Sequence, residues 1–156
     1  MNDPVREQVL YLLAGGGAHV KFDEVIADFP VRHRGVKPAH APHTAWQLLE
    51  HMRIAQWDIL EFSRSAKHLS PEWPSGYWPS DEKPPNAAAW NSSVAKFKKD
   101  LGAMEKLIKN PKTDLHAKIP HGSGQTIFRE ALLIADHNSY HLGQLVLLRR
   151  LLGAWK

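Results

Sequence analysis

Apolar positions recur along most of this chain at three- and four-residue intervals, the spacing of one buried helical face. Between Asn86 and Lys109 the set is Trp90, Val94, Phe97, Leu101, Met104 and Ile108, with the lysines mostly on the other side, which predicts an amphipathic helix with a solvated outer surface. A second run from about Thr126 to Leu152 and a third from Pro42–Thr44 to about Ala66 have the same period. Asp3-Pro4 suits a helix start, with Asp as N-cap and Pro where its missing N–H costs little, and Gly15-Gly16-Gly17 ends that helix. A short helical segment is predicted over Ala18–Phe29, closed by Pro30. The intervening stretches carry no period. Val31–Pro42 reads as a polar loop and Leu115–His121 as briefly extended. Lys67–Pro85, rich in Pro, Trp and Tyr, reads as a long loop whose Trp73, Tyr77 and Trp78 either close one end of the helical stack or meet a substrate. The predicted class is all-α.

Two of the apolar stripes are broken at their centres by polar groups. In the last helix the row Glu130, Leu133, Ile134, His137, His141, Gln144 and Leu148 places His137 and His141 about 40° apart on one face. Two imidazoles so arranged can ligate one metal ion. Lone helical histidines are ordinarily core or surface residues with satisfied hydrogen bonds, so the pair gains weight only with a third ligand. In the helix from Thr44 the inward row Thr44, Leu48, His51, Ile54/Ala55, Asp58 and Phe62 has a histidine in the same setting, and His51 is the best candidate. His43, eight residues earlier and about 12 Å along the axis, is assigned to the helix start. Tyr140 and Asp136 are turned from the stripe, and Tyr140 is expected to pack. Gly122-Ser123-Gly124, before the last helix, reads as an ordinary connection in preference to an anion cradle.

Composition narrows the chemistry. The 156 residues, 43% of them hydrophobic, suit one domain with one core, taken as residues 1–156. The chain has no cysteine, so disulfides, thiolate metal sites, iron–sulfur clusters and a cysteine nucleophile are excluded. Any metal must be held by His, Asp, Glu or water, and any thiol must come from another molecule. The apolar run Val9–Ala14 lacks the positive leader of a secretion signal, and no stretch approaches the roughly 20 apolar residues of a membrane span, so a cytoplasmic protein is expected. The net charge of +4 is scattered over small clusters and no nucleic-acid-binding module accompanies it; no nucleic-acid or membrane partner is expected.

With Leu48-Leu49-Glu50-His51 on one helix and His137-Asn138-Ser139-Tyr140-His141-Leu142-Gly143-Gln144 on another, the sequence resembles the DinB/YfiT-like superfamily of metalloenzymes. The likeness extends to the helix order, the Gly76-Tyr77-Trp78-Pro79 loop and the Ile119-Pro120-His121-Gly122 approach to the final helix. It implies a four-helix bundle of up-down-down-up connectivity, with a short extra helix and the Pro/Trp-rich loop added, commonly as a homodimer. It also implies a divalent metal, such as Zn, Ni or Fe, on the triad His51, His137 and His141. Family members of known activity include transferases and an isomerase that use external low-molecular-weight thiols.

Three neutral imidazoles leave the charge of a divalent ion uncompensated and coordination positions free, so bound water or thiol would lose its proton near neutral pH. The expected function is therefore a metal-dependent, thiol-using transferase or a hydrolase acting on a small molecule. Gln144 is cast as an outer or substrate-orienting amide, and Glu130 or Asp58 as a group that orients a ligand's second ring nitrogen. No general base stands out. The alternatives are a non-catalytic, metal-binding or stress-related dimer, and a bundle whose three histidines are core polar residues without metal.

Overall fold

The computed structural model describes residues 3–155. It is all-helical, with α1 at Pro4–Leu13, α2 at Phe22–Ile26, α3 at Ala45–Arg64, α4 at Ala87–Lys109 and α5 at Ile127–Leu151. Single 3-10 turns occur at Val31–His33 and Ser75–Tyr77. The helices start where the sequence supplies a cap. Asp3 accepts from the amides of Val5 and Arg6, Asn86 from that of Ala89, and Thr126 from that of Arg129. Thr44 accepts from the Gln47 amide while the Gln47 side chain accepts from the Thr44 amide, a reciprocal pair that fixes where α3 begins.

One expectation needs correction. The segment predicted as helical over Ala18–Phe29 is helical only over Phe22–Ile26. Glu24 accepts from the Lys21 amide and starts it there, while Ala27 leaves the helical region and Asp28 takes the left-handed conformation, φ 51°. Val25 and Phe29 still reach the core, so the apolar spacing reported burial correctly and overstated the helix. The stretch read as extended, Leu115–His121, forms one isolated bridge, Lys118 to Thr126, and buries Leu115 and Ile119.

α3 packs against both α4 and α5, and α1 lies across α4 and α5. The apolar core falls into two clusters. One gathers Leu48, Leu49 and Met52 with Trp90, Phe97, Leu142, Leu145 and Leu148. The other gathers Leu60 with Met104, Ile108, Ile127, Ala131, Ile134, Val9 and Leu13. Between the clusters α3 and α5 contribute polar side chains, while on α4 Leu101 packs against both clusters. Gln56, 1% exposed, donates to the Phe97 carbonyl at 2.7 Å and accepts from Asn138 Nδ2 at 2.8 Å, tying α3 to α4 and α5 at that level. Beside this tie lie the three histidines. Among the described residues, no helix is long and apolar enough to cross a membrane.

Candidate metal centre

His51 comes from the second turn of α3, and His137 and His141 from successive turns of α5. One ligand atom of each lies within 4.8 Å of the others. His51 Nε2 is 3.1 Å from His141 Nε2 and 3.0 Å from His137 Nε2. Two nitrogens held about 2.0–2.1 Å from one ion at tetrahedral angles would stand about 3.3–3.4 Å apart, so the spacing matches a shared ion to within a few tenths of an ångström.

The outer ring nitrogens decide what the inner ones can do. His51 Nδ1 lies 3.0 Å from the Tyr77 carbonyl oxygen, which can only accept, so Nδ1 carries the hydrogen and Nε2 of the neutral ring presents a lone pair. His141 Nδ1 donates in the same way to Gln144 Oε1 at 2.8 Å, leaving its Nε2 bare. Two lone pairs therefore face each other at 3.1 Å with no hydrogen between them. A proton does not resolve this near neutrality. Burial pushes the His51 imidazole down to about 4, with the nearby His141 and His43 adding to the drop against the Tyr77 carbonyl. Burial, then His141 and His51, push His137 down to about 3, and burial lowers His141 as well. His137 Nδ1 is itself buried with no hydrogen-bond partner among the described residues. A cation on the three Nε2 atoms is the species this donor set fits.

The loop between α3 and α4 supplies the site's outer wall. The Trp78 indole stacks on His51 at 3.7 Å between ring centroids, with 4° between planes, and on its other side stacks on His43 at 3.8 Å. His43 thus belongs to the surroundings of the triad through Trp78, although its helical distance from His51 assigned it to the helix start alone. The loop is pinned by Asp58, whose carboxylate accepts from the Tyr77 hydroxyl at 2.6 Å and from His68 Nε2 at 2.7 Å. Burial and the neighbouring carboxylate push the Tyr77 phenol up to about 12, so it stays a donor.

The candidate outer residues therefore have separate places. Gln144 bonds directly to a triad ring. Asp58 reaches His51 only through Tyr77, which offers its carbonyl to the ring and its hydroxyl to the carboxylate. Glu130, 2% exposed, is paired with Arg129 at 2.6 Å, with no hydrogen bond to a triad ring among the described residues. Tyr140, expected to pack, is 66% exposed and touches His141 only edge-on, at 4.8 Å between centroids.

A family model of the DinB superfamily matches residues 17–145. The chain belongs to the DinB superfamily. No curated protein and no solved structure matches it. The superfamily match spans all three histidines, so the resemblance carried by the Leu-Leu-x-His and His-x3-His-x-Gly-Gln stretches extends over most of the chain. Sequence reasoning did not find the contributions of Tyr77 and Trp78 to the DinB triad. A backbone carbonyl has no side-chain signature, and a loop without period gives no register; the available sign was the aromatic density of Gly76-Tyr77-Trp78-Pro79 next to a histidine-bearing helix.

Proposed function

We propose that this DinB-superfamily protein holds a divalent metal ion on Nε2 of His51, His137 and His141 and acts as a metal-dependent enzyme, a transferase using an external thiol or a hydrolase. The observation that carries the reading is the pair of lone pairs 3.1 Å apart on His51 and His141, each fixed by a bond on the far side of its ring. Such an ion supplies positive charge that lowers the pKa of a bound water or thiol. The chain's own residues do the positioning. The Tyr77 carbonyl and the Gln144 amide oxygen orient two of the rings. Trp78 covers one face of His51 and keeps water from it. The absence of cysteine leaves an external molecule as the source of any thiol.

The same reading takes residues 1–156 as one domain built as an up-down-down-up four-helix bundle, working in the cytoplasm on a small molecule. A homodimer through the outer side of α5 is part of it, supported by the exposed Leu132, Tyr140, Leu147 and Leu151 along that side. The metal is Zn, Ni or Fe, since three imidazoles suit each of them. A non-catalytic metal-binding bundle has one observation in its favour: a roomy cleft of about 770 Å³ is walled by Gly15–Gly17, Tyr11 and Leu132 and not by the triad.

Elemental analysis of protein purified without an affinity tag tests the ion, with one equivalent expected and none after His51→Ala. Failure to take up stoichiometric metal even on reconstitution would refute the centre. Assays of the loaded protein against electrophiles with a panel of small thiols, and against esters and amides without thiol, then separate enzyme from binder; turnover in neither arm would leave the non-catalytic reading standing.

A further inference from the structure

Among the described residues, two consecutive side chains of α5 each bury a polar atom that makes no hydrogen bond, Nδ1 of His137 and Oδ1 of Asn138. Such atoms cost stability when left alone, so the pair calls for a cause. The Asn138 amide is not free to choose its orientation. Gln56 turns its Nε2 to the Phe97 carbonyl at 2.7 Å, because a carbonyl only accepts, and so presents Oε1 to Asn138. Asn138 must answer with Nδ2, at 2.8 Å, which leaves Oδ1 as its remaining group. The amide chain thus runs in one sense from α4 through α3 to α5 and ends in an acceptor.

What that acceptor meets depends on where His137 carries its hydrogen. With the hydrogen on Nε2, the ring donates to His51 Nε2 at 3.0 Å, and its Nδ1 is a bare acceptor like the Asn138 oxygen, so the two cannot bond. With Nε2 committed to an ion, the hydrogen moves to Nδ1, and the two orphans become donor and acceptor. The side chains lie within reach of each other. Burial lowers His137 most and the other two imidazoles lower it further, while the Asn138 side chain alone opposes them, by offering the ring an acceptor.

We propose that Asn138 is the positioning residue of the third ligand: its Oδ1 takes the Nδ1 hydrogen of His137 when Nε2 binds the ion, and Gln56 keeps the amide turned the right way. This role rests on the metal reading and adds the support that His137 otherwise lacks. All three rings are then held from behind by neutral oxygens, those of the Tyr77 carbonyl, Gln144 and Asn138. None of these three is a carboxylate feeding negative charge to a ring, so more of the ion's charge is left for whatever it binds.

The test uses the full chain and zinc, with affinity read by competition against a chelator. Asn138→Ala should weaken binding by about 10- to 100-fold. Asn138→Asp, which keeps an acceptor and gives up the donor to Gln56, should recover most of that loss; circular dichroism confirms that each variant is folded. In imidazole nitrogen–proton correlation spectra of the unaltered protein, zinc should move the His137 hydrogen from Nε2 to Nδ1 and bring its signal into the downfield range of a hydrogen-bonded ring N–H. Unchanged affinity in Asn138→Ala, equal losses in the two variants, or an Nδ1–H signal outside that range would each overturn the role while leaving the metal centre in place. The spectra need no variant, so they decide even where a substitution prevents folding. An unaltered protein that takes up no zinc would overturn the metal reading and this role together.

Discussion

Two groups of buried polar side chains lie along α3, and they are built on opposite principles. Around Asp58 every strong hydrogen-bonding demand is met from inside the chain, since the carboxylate takes the Tyr77 hydroxyl on one oxygen and His68 on the other. Two turns earlier, around His51, the outer nitrogens of two rings are satisfied and the Nε2 atoms of His51 and His141 face each other as two acceptors. A closed network of this kind rigidifies a fold, whereas one left open on its inner side costs stability and persists where a ligand completes it. The Asp58 group accordingly reads as the frame and the histidine group as the socket. Tyr77 belongs to both, so the frame sets the orientation of one wall of the socket.

The comparison is broken most severely by removing a ligand. His51→Ala is expected to lower zinc affinity by more than about 100-fold, beyond the 10- to 100-fold loss typical when an outer partner is removed, while the metal-free variant keeps its helical circular dichroism. Equal affinity in calorimetric titrations would place the ion elsewhere. Asp58→Ala should act the other way round. It leaves two half-buried donors unpaired and should cost about 1–3 kcal/mol of folding stability in urea unfolding of the metal-free protein. A change within a few tenths of a kcal/mol would deny it the role of frame. Gln144→Leu frees His141 Nδ1 from its acceptor and should weaken metal binding about 10-fold or more at little cost to stability. An unchanged metal titration would show that the ring needs no such support.

The smallest expected effect is on pH dependence. His51 and His137 are pushed down to about 4 and about 3 in the folded chain, from an ordinary 6.5. As pH falls below 6.5 the unfolded chain takes up protons that the folded one refuses, so the stability contributed by the neutral rings is complete above 6.5 and is lost progressively toward 4 and 3. Melts of the metal-free protein between pH 7 and 5 should drop by an amount on the order of 1 kcal/mol per pH unit, and a His51→Ala/His137→Ala double variant should show a shallower slope. Parallel slopes would mean that the rings are not desolvated.

Much of this is legible in the sequence, for a physical reason. The long helices have uninterrupted periods, and Thr44, Asn86 and Thr126 are capping residues that mark their starts. Burial of a face is a property of spacing, so the stripes that carried His51 and His137/His141 showed which side was inward. What stayed hidden lies where spacing carries no information. The five-residue α2 is ended by the left-handed Asp28, a backbone choice that apolar periodicity does not record. Trp78 reaches His51 and His43 from a loop whose path depends on the bonds to Asp58, and the Tyr77 carbonyl is common to every residue type. The α3 stripe offers Asp58 as the group that orients a ligand ring, and its link to His51 runs instead through Tyr77, because α3 alone does not show what the loop brings to it.

The indole lying flat on His51 at 3.7 Å also gives the protein a built-in gauge. An open-shell ion such as copper(II) or nickel(II) quenches a fluorophore within van der Waals reach of its coordinating ring. Trp78 should therefore darken in step with filling of the triad, and occupancy becomes readable by emission spectroscopy on unlabelled material.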